Sequence, residues 1–167
     1  FEKEAEAITS LFDAGLEISP DFNTVFLAFH SAQHYALGFA MHHLCDWACL
    51  LKKQGLKIPE GVTDERFLNM IYALTHLCNR YLGTEVLVMK GGEELAENLL
   101  KEMLHPTYNI NVPATGKWGI LVYKLKRMLH IHRLCDSVMR VSLVKWLWIS
   151  VIQHVRFPQS IFRRTVS

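Results

Sequence analysis

The sequence lacks most of the patterns that announce a catalytic centre or a destination. Cysteine is sparse, with four residues at 45, 49, 78 and 135. Their spacing fits neither a disulfide framework nor the Cys-x-x-Cys signature of zinc and redox sites. No basic, apolar, small-residue stretch opens the chain, so a secretory signal is not in view. Together these absences predict buried thiols and a reducing, cytoplasmic setting. A glycine-rich phosphate loop is also missing, because "KGGEEL" lacks the Gly-x-x-x-x-Gly-Lys spacing. The acids that follow, Glu93 and Glu94, repel phosphate at what reads as a helix start. The most apolar stretch, residues 138–155, is interrupted by Arg140, Lys145 and His154 and falls short of the roughly 20 apolar residues that a spanning helix needs. Acid is nearly absent from the last third. Residues 111–167 hold 10 Lys and Arg and a single acid, Asp136, a net of +9, whereas residues 1–110 hold 8 Lys and Arg against 15 Asp and Glu, a net of −7. The formal charge of +2 hides this split. A field of that sign favours phosphates, an acidic partner surface or anionic lipid, unless the basic end neutralises the acidic front within the fold.

What is present reads as one ordinary domain. With 167 residues, 50% hydrophobic and 20% charged, the chain can bury a core and is not disordered as a whole. It begins at Phe1 rather than at a methionine, as a fragment or a processed product would. The dominant period is helical. "SPDF" offers Ser19 as an N-cap and Pro20 at the first helical position, and Phe22, Val25, Phe26 and Phe29 follow at helical spacing to about Tyr35. After Gly38, the residues Met41, Leu44, Cys45, Ala48 and Leu51 make the apolar face of a second helix closed by Gly55. Thr63 caps a third with Phe67, Ile71, Leu74 and Leu77 inward, ending near Gly83. A fourth runs over about 93–104 and stops at Pro106, and residues 105–116 read as the longest loop. A fifth, from Lys117 to about His132, turns Ile120, Leu121, Leu125, Met128 and Leu129 inward. A last helix runs from near Asp136 to about Val155. The fold class is therefore mostly α, a single helical domain of about five to six helices. Residues 1–18 form an N-terminal segment, 19–157 the helical domain and 158–167 a basic tail.

One cluster invites chemistry. His30 and His34 are four apart on one helix face, and His42 and Asp46 repeat the spacing on the next. An antiparallel hairpin through Gly38 brings these pairs together. Three imidazoles and a carboxylate suit zinc or another borderline divalent ion, but His-x-x-x-His lacks the intervening Glu of a zinc-protease helix. The simpler reading is structural pairing, with Asp46 as a half-buried acceptor for His34 or a backbone donor, and no metal is expected. Cys45 and Cys49 read as small buried hydrophobes.

The run "FLAFHSAQHYALGFAMHHLCDWACLL" resembles a region of an uncharacterised nucleotidyltransferase family of Bacteroides-type bacteria, the region that follows the catalytic core. That family has a Leu-His-x-x-x-His pattern and then Gly-Ile-Gly-Leu-Arg-Gln-Leu-Cys-Asp-Trp. His30 and His34 match the paired histidines, Gly38 the first glycine, and Leu44, Cys45, Asp46 and Trp47 the end. Ala40 stands at the second glycine and His42 at the arginine, which removes a fixed positive charge there. "YLG" at 81–83 and "EMLHPTYN" at 102–109 resemble later parts, without the intact "GGNFG"-like motif. The resemblance spans about residues 20–130, and its specific part is the first block. Nucleotidyltransferases of this kind carry Gly-Ser followed by paired aspartates that hold magnesium on the triphosphate. This chain has no Gly-Ser and no Asp-x-Asp, so the resemblance implies a helical C-terminal part without the catalytic core.

These observations lead to a non-catalytic helical domain that packs on an upstream nucleotidyltransferase-like domain and helps form its nucleotide or acceptor cleft. Lys117, Lys124, Arg127 and Arg133, with Lys126 nearby, are the expected phosphate-binding surface for a nucleotide or phosphorylated ligand. No cofactor is expected in this chain itself; Mg2+ and a nucleoside triphosphate enter only with the upstream domain. The alternative is an interaction module with no substrate, meeting an acidic protein or the surface of an anionic membrane, with Trp146 and Trp148 near the headgroups. Nucleic acid is disfavoured, because Trp118 and Tyr123 do not form an aromatic-basic platform.

Overall fold

In this computed structural model the described residues are 20–88, 90–108, 116–139 and 142–157. The expected N-terminal segment, the Ser19 cap and the basic tail lie outside them. The first helix, α1, spans Pro20–Gly38. It buries small residues, Thr24, Ala28, Ser31 and Ala32, together with Tyr35, while Phe22, Phe26 and Phe29 stay on its exposed side. Small side chains let α1 lie close to its neighbours, so the phenylalanine period marks an outer stripe. Gly38 ends the helix, and Phe39 and Ala40 lead into α2, Met41–Gln54.

The register of α2 follows its one indole. Trp47 is fully buried, and with it go His43, Leu44, Ala48, Leu50 and Leu51. Its Nε1–H donates to Thr75 Oγ1 at 3.1 Å, and that hydroxyl donates to the Ile71 carbonyl at 2.9 Å. A buried indole whose N–H has an acceptor combines a large apolar area with a satisfied polar end. Cys45 and Cys49 consequently fall on the opposite side and are exposed. This corrects the expectation that they are buried, and only Cys78 and Cys135 are.

Helix α3, Glu65–Leu82, is the centre of the molecule and packs against α1, α2 and later helices. Asp64, rather than Thr63, is its cap: one carboxylate oxygen accepts from the amides of Arg66 and Phe67 at 2.9 and 3.3 Å, satisfying two of the donors a helix start leaves open. Met70, Ile71, Leu74 and Leu77 form the middle of the core. Cys78 donates its S–H to the Leu44 carbonyl at 3.3 Å, tying α3 to α2. Helix α4, Glu93–Leu104, lies against α3. The approach is close at Gly92, φ +83°, where a Cβ would meet the Ala73 amide nitrogen at 2.7 Å. Glycine is required there both by the backbone conformation and by the space.

Helix α5, Lys117–Val138, runs past the expected end at His132 because Ile131, Cys135 and Val138 continue its buried stripe. Asp136, expected to open the last helix, instead receives Arg66: the guanidinium donates to its carbonyl at 2.6 Å and lies 3.1 Å from its carboxylate. The last helix, α6, is Leu143–Arg156. These elements make a single compact helical domain, with no strand among the described residues. Among those residues no helix is long and apolar enough to cross a membrane.

Candidate functional site

The break at residues 39–40 aims α1 and α2 at each other, and three imidazoles meet there. His30 and His34 project from successive turns of α1, and the third partner is His43 rather than His42 or Asp46. One ring nitrogen from each of His30, His34 and His43 lies within 4.8 Å of the others. The ring centroids are 4.6 Å apart for His30 and His34, 4.7 Å for His34 and His43, and 5.4 Å for His30 and His43. His42 is exposed and lays its ring beside that of His43, with centroids 3.9 Å apart. Asp46 is exposed, outside the group, and does not act as the half-buried acceptor the sequence suggested. The reason is the Trp47 register: burying position 47 buries position 43, one turn earlier, and turns 42 and 46 outward. The four-residue step back from the indole, one helical turn, was the signal in the sequence that points to His43.

His43 is the most constrained member. It is 2% exposed, its ring stacks on Phe39 with centroids 5.3 Å apart, and its Nδ1 faces the Ala40 backbone. The Ala40 amide donates to Nδ1 at 3.1 Å, and the Ala40 carbonyl lies 3.2 Å from the same nitrogen. Which contact is the hydrogen bond depends on the tautomer. With either, Nε2 is buried and has no hydrogen-bond partner. Leaving such a group unsatisfied costs about 1–3 kcal/mol. Burial holds the pKa of His43 below its usual value against the opposing pull of the Ala40 hydrogen bond, and His42, His34 and His30 add to the lowering. The pKa of His34 is lowered by burial and then by His30 and His42. Both rings are therefore neutral at pH 7, with lone pairs available.

A second polar group, unforeseen in the sequence, sits where α1, α4 and α5 meet. His130 Nε2 lies 3.5 Å from Glu102, too far for a good hydrogen bond. The Glu102 carboxylate is already engaged by the Thr107 amide and hydroxyl at 3.0 and 2.9 Å. Tyr108 packs its ring against Tyr123 and His130. Burial, and then the Glu102 charge, push the Tyr35 hydroxyl up to about 12. These contacts join the end of α4 to its following turn and to α1 and α5, and they leave His130 Nε2 buried without a hydrogen-bond partner.

The expected phosphate surface is divided. Because α5 is one continuous helix, the turn of about 100° per residue places Lys117 and Lys124 on one side, with Arg127 beyond them, and Lys126 and Arg133 roughly opposite. Arg127 is half-buried, and burial lowers its guanidinium pKa while Tyr123 opposes the shift. Between the two basic edges lies an apolar stripe: Trp118, Leu121, Val122, Leu125 and Leu129 are all exposed, Trp118 at 79%. Leu121, Leu125 and Leu129 were expected inward; the inward stripe is instead led by Ile120, Ile131 and Cys135. Helix α6 repeats the pattern, with Val144, Leu147, Trp148, Val151, Ile152 and Val155 exposed at helical spacing. Among the described residues the histidine trio is the one converging group of three His, Cys, Asp or Glu side chains. Comparison of the chain with family models, with curated proteins and with solved structures found no match.

Proposed function

We propose that this chain is a non-catalytic helical domain that docks on a nucleotidyltransferase-like domain and forms part of the wall of its nucleotide or acceptor cleft. The observation that carries the reading is the exposed stripe Trp118, Leu121, Val122, Leu125 and Leu129 on α5. Contiguous apolar surface of this kind marks a contact surface far more often than a solvated face. Its basic margins suit a partner whose apolar patch has an acidic rim, or a cleft that holds phosphate. The choice of partner rests on the resemblance of residues 26–51 to the region that follows such a catalytic core. Transfer chemistry belongs to the partner, whose paired aspartates hold Mg2+ and the nucleoside triphosphate; the described residues here bring no such carboxylates together. The exposed thiols of Cys45 and Cys49 suit a reducing, cytoplasmic setting.

The test is co-expression with a nucleotidyltransferase-like domain encoded in the same gene or beside it. A one-to-one complex is expected, and Leu125→Asp on the exposed stripe is expected to weaken it at least about tenfold, as loss of a buried apolar contact does. Failure of the two to associate, or a complex indifferent to Leu125→Asp, would sink the proposal.

A second reading has its own observation. The α6 stripe, with Trp148 66% and Val155 75% exposed, has the form of a helix that lies in a membrane interface. Co-sedimentation with vesicles containing phosphatidylserine, but not with phosphatidylcholine alone, would support it. Equal recovery in both pellets would count against it.

A further inference from the structure

We infer that His30, His34 and His43 form a binding site for a divalent transition metal of the zinc class, with three imidazole ligands and a fourth position for water. The inference is independent of the docking reading, since it uses only groups within this chain.

Two observations point the same way. The first is convergence: ring nitrogens from two helices lie within 4.8 Å of one another. A tetrahedral zinc ion with bonds of about 2.0–2.1 Å holds its ligand nitrogens about 3.3 Å apart. The trio must therefore close by roughly an ångström and a half, which side-chain rotation of the half-buried His30 and His34 can supply. The second is the stranded nitrogen. His43 Nε2 is buried without a partner, while Nδ1 of the same ring is held by Ala40. Metal-binding histidines use this arrangement: one nitrogen donates its proton to a backbone carbonyl, which fixes the ring and leaves the lone pair of the other for the ion. Donation from Nδ1 to the Ala40 carbonyl, 3.2 Å away, gives the required tautomer. In that tautomer the Ala40 amide, 3.1 Å from the same nitrogen, gives up its acceptor.

The donor set also selects the ion. Imidazole nitrogen suits zinc, copper, nickel and cobalt, whereas magnesium and calcium need oxygen. The trio holds no carboxylate or thiolate, Asp46 and Cys45 both being exposed and outside the group. The bound ion keeps its full positive charge, which favours water or a small anion as the fourth ligand.

The experiment uses the chain purified without a histidine tag, titrated with zinc(II) against a chromogenic chelator and separately with cobalt(II) followed by visible absorption. One equivalent of zinc per chain is expected, with the intense ligand-field bands of tetrahedral cobalt. His30→Ala and His34→Ala should each weaken zinc binding by at least about tenfold. The Cys45→Ser/Cys49→Ser pair should leave the affinity within about twofold, since these side chains lie outside the trio. X-ray absorption of the zinc-loaded, unsubstituted chain should report imidazole scattering from three ligands, which holds the test open even if a substitution disturbs folding. No zinc uptake, undiminished binding in the His30→Ala/His34→Ala double variant, or sulfur in the first shell would overturn the site.

Discussion

Trp47 and Trp148 are the same side chain placed in two opposite settings in one molecule. Trp47 is fully buried between α2 and α3, its N–H bonded to Thr75 and its ring surrounded by the core. Trp148 is 66% exposed on α6, in a row of exposed valines, leucine and isoleucine. Around α3 the molecule behaves as a closed interior, with apolar side chains buried and most polar groups paired. On the outer faces of α5 and α6 it displays apolar stripes as regular as those it buries. Helical periodicity identifies an apolar stripe, but whether the covering surface belongs to the same chain is a separate fact.

The largest expected effect separates the two tryptophans. Trp47→Ala should destabilise the fold by about 3–5 kcal/mol, the usual cost of emptying a large aromatic site. Trp148→Ala should stay within about 0.5 kcal/mol, as exposed substitutions do. Urea unfolding of the two variants measures both, and similar losses would erase the distinction. Next comes Gly92→Ala, at the closest approach of α4 to α3. The added methyl meets backbone and the conformation opposes it, so a loss of about 1–3 kcal/mol is expected. The same substitution at Gly116, where a Cβ meets nothing within 4 Å, should be nearly neutral in the same assay.

The smallest expected effect concerns pH. His34 and His43 have pKa values lowered below 6.5 in the folded protein. The unfolded chain therefore takes up protons at a higher pH than the folded one. Their contribution is fully present above about pH 6.5 and is lost as pH falls through the folded values. The neighbouring imidazoles of His30 and His42 add to the lowering in both rings. Thermal melts of the metal-free chain should shift down below pH 6.5, and the shift should shrink in His34→Asn. A melting temperature that rises on acidification would contradict the assignment.

Much of the fold was legible in the sequence, because Pro20, Gly38, Gly55, Gly83 and Gly92 mark helix ends by local chemistry. Rotation of each helix about its axis was less so. On α2 the expected apolar face was Met41, Leu44, Cys45, Ala48 and Leu51, and the volume of Trp47 turns the helix so that His43 lies inward while Met41 and Cys45 are exposed. On α5 both faces are apolar, and which one is buried depends on contacts with α1 and α3 that are distant in sequence. The histidine site inherited the first ambiguity: His30 and His34 could be named from their spacing on one helix, whereas the third member required the register of another. The phosphate surface inherited the second, since Arg133 is close to Lys124 along the chain and on the far side of the stripe in space.

The docking proposed for the α5 stripe has a nucleotidyltransferase-like domain as its partner. Oxidative footprinting of side chains in the chain alone and in the mixture tests it most directly. The account predicts that Trp118, Leu121, Leu125 and Leu129 become protected together while Trp148 stays reactive. Unchanged oxidation at all four positions, in a mixture where the complex is demonstrably formed, would contradict it.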